Sequence, residues 1–210
     1  MDDHLTDDQA PLLPWWHSKL NLSLCAIVVA LLGAVIGYTF RGSDAMVEHN
    51  RVDVGFLQDM RIHHEQAVTM SVVYLGASPE GTPLLRQIAK EISFDQSTEN
   101  GRMAQMLRMF RENETNPSNL VMGWMGAAID LSQMPGYATD AELDALYKSR
   151  NAEADKIFAT LMIAHHEGAL HMAEYARDNG VNPEVRALCE SIIDSQTSEI
   201  GELRKILAQL

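Results

Sequence analysis

Residues 56–70 read FLQDMRIHHEQAVTM, and residues 158–172 read FATLMIAHHEGALHM. Each copy holds two adjacent histidines between two methionines, and Phe, Met, His-His-Glu, Ala and Met recur at the same internal positions. The similarity continues downstream, where Ile92, Gln96, Glu99 and Gly101 recur as Ile192, Gln196, Glu199 and Gly201. Self-similarity at a fixed interval indicates a duplicated structural unit. We therefore expect two related halves.

The histidines and methionines of each copy lie on one helical face, because successive residues of a helix are turned by about 100°. The glutamate after each histidine pair points away from that face. Imidazole nitrogen and thioether sulfur are ligands that suit copper, above all Cu(I). The candidate metal ligands are Met60, His63, His64 and Met70 in the first copy and Met162, His165, His166 and Met172 in the second. If the two helices face each other, four imidazoles and four thioethers could converge, with His63 and His165 nearest the shared axis.

A structural interpretation of the same residues is that they form an ordinary packing face. Methionine often fills gaps in a core, and a buried histidine is often held by hydrogen bonds. Duplication of imidazoles together with thioethers favours the metal interpretation. Two residue pairs downstream, Gln96 with Gln196 and Glu99 with Glu199, either orient the imidazoles from behind or are exposed helix positions.

The N-terminal part of the chain predicts a membrane helix. An acidic tail occupies residues 1–19, and residues 20–41 form an apolar segment without a charged residue from Leu20 to Phe40. Twenty-one uncharged residues at about 1.5 Å each match a bilayer core of about 30 Å. A cleaved signal peptide is disfavoured, because no small-x-small cleavage site follows the apolar segment and the preceding region is acidic. The chain is thus expected to be a single-pass protein of the cell membrane.

Charge and cysteine usage limit the partners and the compartment. The net charge of −13 disfavours nucleic acid as a partner. Lys19 before the span and Arg41 and Arg51 after it do not favour an external C-terminus, although long domains translocate regardless of this count. Cys25 lies in the span and Cys189 stands alone, so no disulfide is expected in the C-terminal domain. Because His and Met hold copper without forming disulfides, we expect this domain outside the cytoplasm.

The remainder of the chain predicts an all-α domain over residues 44–210. The first repeat covers about 52–111, a connector about 112–138, and the second repeat about 150–210. Thr82-Pro83 and Asn182-Pro183 are typical helix starts, and Thr139 with Glu142 is typical of a capping box. Two helical hairpins joined by one long connector make a four-helix bundle with one crossover.

The two His-His-Glu motifs, the Gln-x-x-Glu segments after them and the ending PEVRALCESIIDSQTSEI resemble the domain of unknown function 305 family over about residues 50–210. The resemblance implies a ferritin-like bundle in a secreted or membrane-anchored bacterial protein. Some members of this family are linked to copper binding and tolerance. Carried over by position, the family's His and Met pattern falls on the candidate ligands named above.

Two other functions are compatible with parts of the sequence. Ferritin-like bundles often hold two irons through Glu-x-x-His motifs, but this chain has none, which disfavours a di-iron oxidase. An accessory or scaffolding subunit of a membrane complex, for example a respiratory one, would use the anchor without a metal role. With either function, the sequence leaves open a membrane-protein partner or a homodimer. No nucleophile motif or phosphate-binding loop is present, so an enzyme is not expected, and copper storage, tolerance and delivery fit the pattern equally.

Overall fold

The computed structural model describes residues 14–40, 47–118 and 120–210. The chain divides into two units between residues 45 and 46. Residues 1–13 of the expected acidic tail, residue 41 of the expected span and residues 44–46 of the expected bundle domain lie outside the described residues.

The N-terminal unit contains a 3-10 turn, Trp15–His17, and helix α1, Lys19–Phe40. At about 1.5 Å per residue, the 22 residues of α1 extend about 33 Å, close to the thickness of a bilayer core. Within the described residues, Lys19–Tyr38 is the one segment that is long and apolar enough to cross a membrane, with a mean hydropathy of 2.4. Length and composition are also satisfied by a signal sequence, so the helix is a membrane span or a signal sequence.

Among its described residues, the second unit has four long α-helices and one short α-helix. Its helices are α2 (Arg51–Ala77), α3 (Pro83–Phe110), α4 (Asp140–Lys148), α5 (Asn151–Asn179) and α6 (Pro183–Leu207). A connector between α3 and α4 holds two-residue strands, β1 (Leu120–Val121) and β2 (Ile129–Asp130), which pair antiparallel. The prediction of an all-α bundle of two hairpins, α2 with α3 and α5 with α6, is confirmed.

The helix starts agree with the local sequence signals, with one exception. Thr139 and Glu142 form the predicted capping box of α4. Asn182 caps α6 through its side-chain oxygen, which accepts from the backbone N–H groups of Glu184 and Val185. Pro83 begins α3 as predicted, but the side chain of Thr82 does not cap the helix. Its hydroxyl instead donates to a carboxylate of the other hairpin.

Two buried aspartates connect each hairpin to the other. Asp155 of α5 accepts from the backbone N–H of Thr82 at 2.8 Å, just before α3 begins. Asp53 of α2 accepts from the backbone N–H of Asn182 at 3.3 Å, just before α6 begins. Both aspartates stand ten residues before the first histidine of their sequence copy. A carboxylate at a helix N-terminus receives N–H groups that have no partner inside the helix, so each contact stabilises both a helix and the hairpin interface.

The core consists of two apolar clusters with a polar layer between them. The first cluster includes Phe56, Met60 and Met172. The second includes Met70, Tyr74, Phe158 and Met162, and the rings of Tyr74 and Phe158 stack with centroids 4.3 Å apart. These groupings show that α2 and α5 run antiparallel. The histidine pairs of the two motifs lie between the clusters, and we call His63, His64, His165 and His166 the histidine layer.

The connector is held against α2 by Asp59. One oxygen of this buried carboxylate accepts from the backbone N–H of Met122 and from Nε1 of Trp124, both at 2.7 Å. The Trp124 ring also meets Phe56 edge to face. Burial raises the pKa of Asp59, although both hydrogen bonds oppose the shift. The connector therefore crosses the bundle along a defined path.

Candidate metal site

All eight side chains that the sequence marks as ligands are fully buried in the bundle. Their exposed fraction is 0% for Met60, His63, His64, Met70, Met162, His165, His166 and Met172. The glutamates that follow the histidine pairs, Glu65 and Glu167, are exposed, as is His171. The helical faces inferred from the sequence are thus the inward faces of α2 and α5.

His63 and His165 meet at the centre of the histidine layer. Their ring centroids are 3.7 Å apart, with planes inclined by 31°. Nε2 of His63 donates to the carbonyl oxygen of Pro135 at 3.1 Å, and Nε2 of His165 donates to the carbonyl oxygen of His63 at 2.9 Å. A carbonyl oxygen only accepts, so in both rings the proton is on Nε2.

His64 and His166 each contact a carboxylate from the second helix of their own hairpin. Nε2 of His64 lies 2.8 Å from Oε2 of Glu99, and Nε2 of His166 lies 2.5 Å from Oε2 of Glu199. The glutamate side chains are 15% and 21% exposed, whereas the imidazoles are fully buried. Both glutamates therefore orient an imidazole, whereas Gln96 and Gln196 are buried and, within the described residues, make no hydrogen bond to one. A carboxylate that accepts from one ring nitrogen also raises the basicity of the other.

The remaining nitrogen of every imidazole in the layer lacks a partner. Among the described residues, no hydrogen bond reaches Nδ1 of His63, His64, His165 or His166. In a neutral imidazole with its proton on Nε2, Nδ1 carries a free lone pair. A buried polar atom without a partner costs about 1–3 kcal/mol, and here the cost arises four times in one layer. The four Nδ1 lone pairs of the layer therefore face a ligand position that no hydrogen-bond donor of the described residues fills.

Burial keeps the central histidines neutral. The pKa of His63 is lowered to about 3, first by burial and then by the charges of His64 and His166, against the hydrogen bond to Pro135. The pKa of His165 is also lowered well below 6.5, again first by burial and then by neighbouring histidines. At neutral pH these two rings hold unprotonated Nδ1 atoms.

The methionines do not all converge with the histidines. Met60 and Met172 lie in the first apolar cluster, while Met70 and Met162 lie in the second. The physical reason is helical rise, since ten residues separate the methionines of each copy by about 15 Å. One ion cannot contact all four thioethers at once. The structure thus places a pair of sulfurs on each side of the histidine layer.

The connector covers the layer closely. A Cβ on Gly168 would lie 2.0 Å from the carbonyl oxygen of Pro135, and a Cβ on Gly136 would lie 2.3 Å from that of Ala164. The side chain of Gln66 binds the backbone of Ala138 through both its oxygen and its nitrogen. Because glycine has no side chain at these contacts, the connector backbone comes close enough for the carbonyl oxygen of Pro135 to accept from His63. The sequence alone did not predict this hydrogen bond.

Histidine and acidic side chains alone do not form a closed ligand set. Within residues 14–40, 47–118 and 120–210, no three His, Cys, Asp or Glu side chains lie close enough together to hold a metal ion. Cys189 is buried, and burial followed by the charge of Asp53 raises the pKa of its thiol to about 12. An ion at the layer would therefore need thioether sulfur or a reorientation of the stacked rings.

Comparison with known proteins gives several related structures. A DUF305 protein from Streptomyces coelicolor that is predicted to be secreted shares 31% identity with a TM-score of 0.68, covering 75% of this chain and 91% of that one. A DUF305 fragment from Deinococcus radiodurans shares 28% identity with a TM-score of 0.66, covering 77% and 98%.

A further relative, CopM, has been solved with Cu(I), with Cu(II) and with silver. Its Cu(I)-bound form shares 28% identity with a TM-score of 0.56, covering 75% of this chain and 96% of CopM. No curated protein matches the chain significantly. Residues 53–207 match the sequence pattern of a family described as a domain of unknown function, DUF305. The chain therefore belongs to the DUF305 family.

Proposed function

We propose that this chain is a membrane-anchored protein that binds Cu(I) in the histidine layer of its bundle, outside the cytoplasm, in copper tolerance, storage or delivery. One observation carries the proposal. Four fully buried imidazoles use Nε2 for a hydrogen bond and leave Nδ1 without a partner. Lone pairs fixed in this way are what metal-bound histidines present.

The donor types favour a soft ion. Thioether pairs flank the layer on both sides, and thioether sulfur prefers Cu(I) to Fe(II) or Mn(II). The two glutamates nearest the layer are already hydrogen-bonded to imidazoles. Because protonation of His63 is displaced to about pH 3, protons compete weakly for its Nδ1 at neutral pH.

The location is inferred from the anchor and the ligand chemistry. Helix α1 has the length and hydropathy of a span. Histidine and methionine hold copper in an oxidising compartment without forming disulfides, and the buried thiol of Cys189 is kept protonated. The copper-bound and silver-bound forms of CopM and the predicted secretion of the Streptomyces coelicolor protein support both parts of the proposal.

The test is a competition titration of the full chain in detergent under reducing conditions. Wild type is expected to bind Cu(I) or Ag(I) more tightly than Fe(II) or Mn(II). The double variant His63→Ala, His165→Ala is expected to lose most Cu(I) binding and to remain a folded helical bundle. His171→Ala is the matched control, because His171 is exposed on the same helix as His165 and should leave binding unchanged.

Two results would overturn the proposal. One is stoichiometric iron uptake with no copper uptake by wild type, which would favour an oxidase. The other is loss of folding in the double variant with copper binding retained by its residual folded fraction. The melting temperature of the metal-free double variant, measured beside its copper stoichiometry, separates a ligand role from a core role.

A further inference from the structure

The solvent side of α3 carries large apolar side chains. Successive residues of a helix are turned by about 100°, so seven positions of α3 lie within about 40° of one line along the helix. We call them the α3 stripe: Gln87, Glu91, Phe94, Thr98, Gly101, Gln105 and Met109, all of which are exposed. Phe94 is 72% exposed and Met109 is 45% exposed. Phenylalanine is among the residues most often buried, so this exposure indicates a surface that another molecule covers.

The equivalent side of α6 carries small side chains. Its positions, which we call the α6 stripe, are Ala187, Ser191, Asp194, Ser198, Gly201 and Lys205. Alanine, serine and glycine occupy four of these six positions, and Asp194 stands where the first copy has Phe94. The α3 stripe therefore projects from the bundle, whereas most of the α6 stripe is recessed.

Glycine occurs at the same position of both stripes. Nothing in the described residues lies within 4 Å of a Cβ added to Gly101 or Gly201. Glycine is less favourable than alanine inside a helix, and these two positions offer no packing reason for it within one protomer. A missing side chain allows the backbone of another helix to approach closely. The paired glycines therefore indicate that a helix outside the protomer packs on this side of the bundle.

The two stripes belong to one face of the molecule. Phe94 and Thr98 of α3 and Ser191 of α6 line a common groove. Since α2 and α5 run antiparallel, α3 and α6 also run antiparallel. We call the surface formed by both stripes the α3–α6 face. A two-fold rotation about an axis along the groove lays the projecting stripe of each copy on the recessed stripe of the other, so the face is complementary to itself.

The same rotation brings opposite charges together. The C-terminal half of α3 meets the N-terminal half of α6 of the other copy, because the two helices run antiparallel. Residues 100–110 contain Arg102 and Arg108 and no acidic residue. The facing half of α6 carries three exposed acidic residues, Glu184, Glu190 and Asp194. At the other end of the face, Glu91 of α3 meets the part of α6 that contains Lys205. Among the described residues, neither Arg102 nor Lys205 forms an ion pair within the protomer.

We propose that the α3–α6 face is the interface of a homodimer, in which the α3 stripe of each copy packs on the α6 stripe of the other. Helix α3 has 28 residues and α6 has 25 residues. At about 1.5 Å per residue and about 10 Å in width, two such helices present about 700 Å², close to the area of about 800 Å² that each partner of a stable interface buries. The proposal does not rest on copper binding, because the candidate ligands lie on the inward faces of α2 and α5.

The experiment is sedimentation equilibrium of the full chain in density-matched detergent over a range of protein concentrations. Wild type is expected to show a concentration-dependent equilibrium between the mass of one chain and that of two chains. In the double variant Gly101→Leu, Gly201→Leu, the dissociation constant should rise by about 10-fold or more, because the added side chains hold the facing helices apart. Each protomer should stay folded, because a Cβ at either position meets open space. Phe94→Glu places a charge in the interface at an exposed position and should also weaken the dimer, which keeps the test valid if the leucine variant fails to fold.

Matched controls lie on α2, outside the face. Gly76→Leu also fills open space beside a helix glycine, and Val72→Glu also adds a charge at an exposed apolar position. Neither control should change the dissociation constant. The variant His63→Ala, His165→Ala should dimerise like wild type, which separates this interface from the copper proposal.

The inference is overturned if wild type has the mass of a single chain throughout the concentration range. It is equally overturned if the leucine variant and Phe94→Glu both dimerise as tightly as wild type, since the contact would then lie elsewhere, for example along α1. Weakening of the dimer by Gly76→Leu and Val72→Glu to the same degree would also contradict it.

Discussion

Acidification should destabilise the metal-free bundle through His63. The pKa of this ring is about 3 in the folded chain and about 6.5 when it is exposed. A group with a depressed folded pKa stabilises the fold above its unfolded pKa, and this contribution is lost as the pH falls towards the folded value. Between about pH 6.5 and pH 3, the unfolded chain thus binds a proton at His63 that the folded chain does not bind. Between pH 7 and pH 5 the loss from His63 alone is about 2 kcal/mol.

The assay is urea unfolding of the metal-free protein at pH 7, 6 and 5, followed by circular dichroism. His165 has a pKa shifted in the same direction and adds to the loss. Between pH 6 and pH 5, the unfolding free energy of His63→Gln should fall by about 1.2 kcal/mol less than that of wild type. Other titrating groups, including the buried Asp59, are present in both proteins and cancel in the difference. His171→Gln is the control, since its side chain is exposed.

The reasoning fails if His63→Gln keeps the full pH dependence of wild type between pH 7 and pH 5. That result would mean that the pKa of His63 is not lowered in the folded chain, so that protons would compete with a metal ion for its Nδ1 below about pH 6.5.

Two other predictions concern the glutamate contacts and the aspartate contacts between hairpins. Glu99→Gln should weaken Cu(I) binding by about 10-fold or more, because the carboxylate orients His64 and raises its basicity. Competition with a chromogenic chelator measures this affinity. Equal affinity in Glu99→Gln and in the control Glu174→Gln, at an exposed position, would contradict the prediction. Asp155→Ala should lower the unfolding free energy by about 3 kcal/mol, because Tyr74, Ser78 and the backbone N–H of Thr82 lose their acceptor. Urea unfolding measures this loss. A loss no greater than that of Asp144→Ala, at an exposed position, would refute the prediction.

Local sequence signals were sufficient for the helices and for the inward faces. The prolines after Thr82 and Asn182 and the capping box at Thr139 predicted where helices begin. Such signals act within one or two turns, so they can be recognised without knowledge of the tertiary structure. The same holds for α1, since hydropathy along a single segment predicts a span. The sequence did not predict the burial of Asp53 and Asp155, although each stands ten residues before a histidine pair.

The state of each imidazole was decided by the tertiary structure. Nε2 of His63 donates to the backbone carbonyl of Pro135, which is 72 residues away in the sequence. Every residue has a backbone carbonyl, so the identity of residue 135 gives no sign of this contact. Glu99 was visible as a repeated residue, but its contact with His64 depends on how α3 packs against α2. Burial, which lowers the pKa of His63 to about 3, is a property of the whole bundle.

By itself, the sequence determined the all-α architecture of two helical hairpins, the apolar N-terminal helix and the inward direction of both histidine pairs, because periodicity and capping are local. Only the tertiary structure decided that the thioethers divide into two pairs and that Nδ1 is the free nitrogen of each ring. It alone also placed Phe94 of α3 and Ser191 of α6 along one groove. These features arise from contacts between distant segments, and their free energies depend on burial, which no single helix provides.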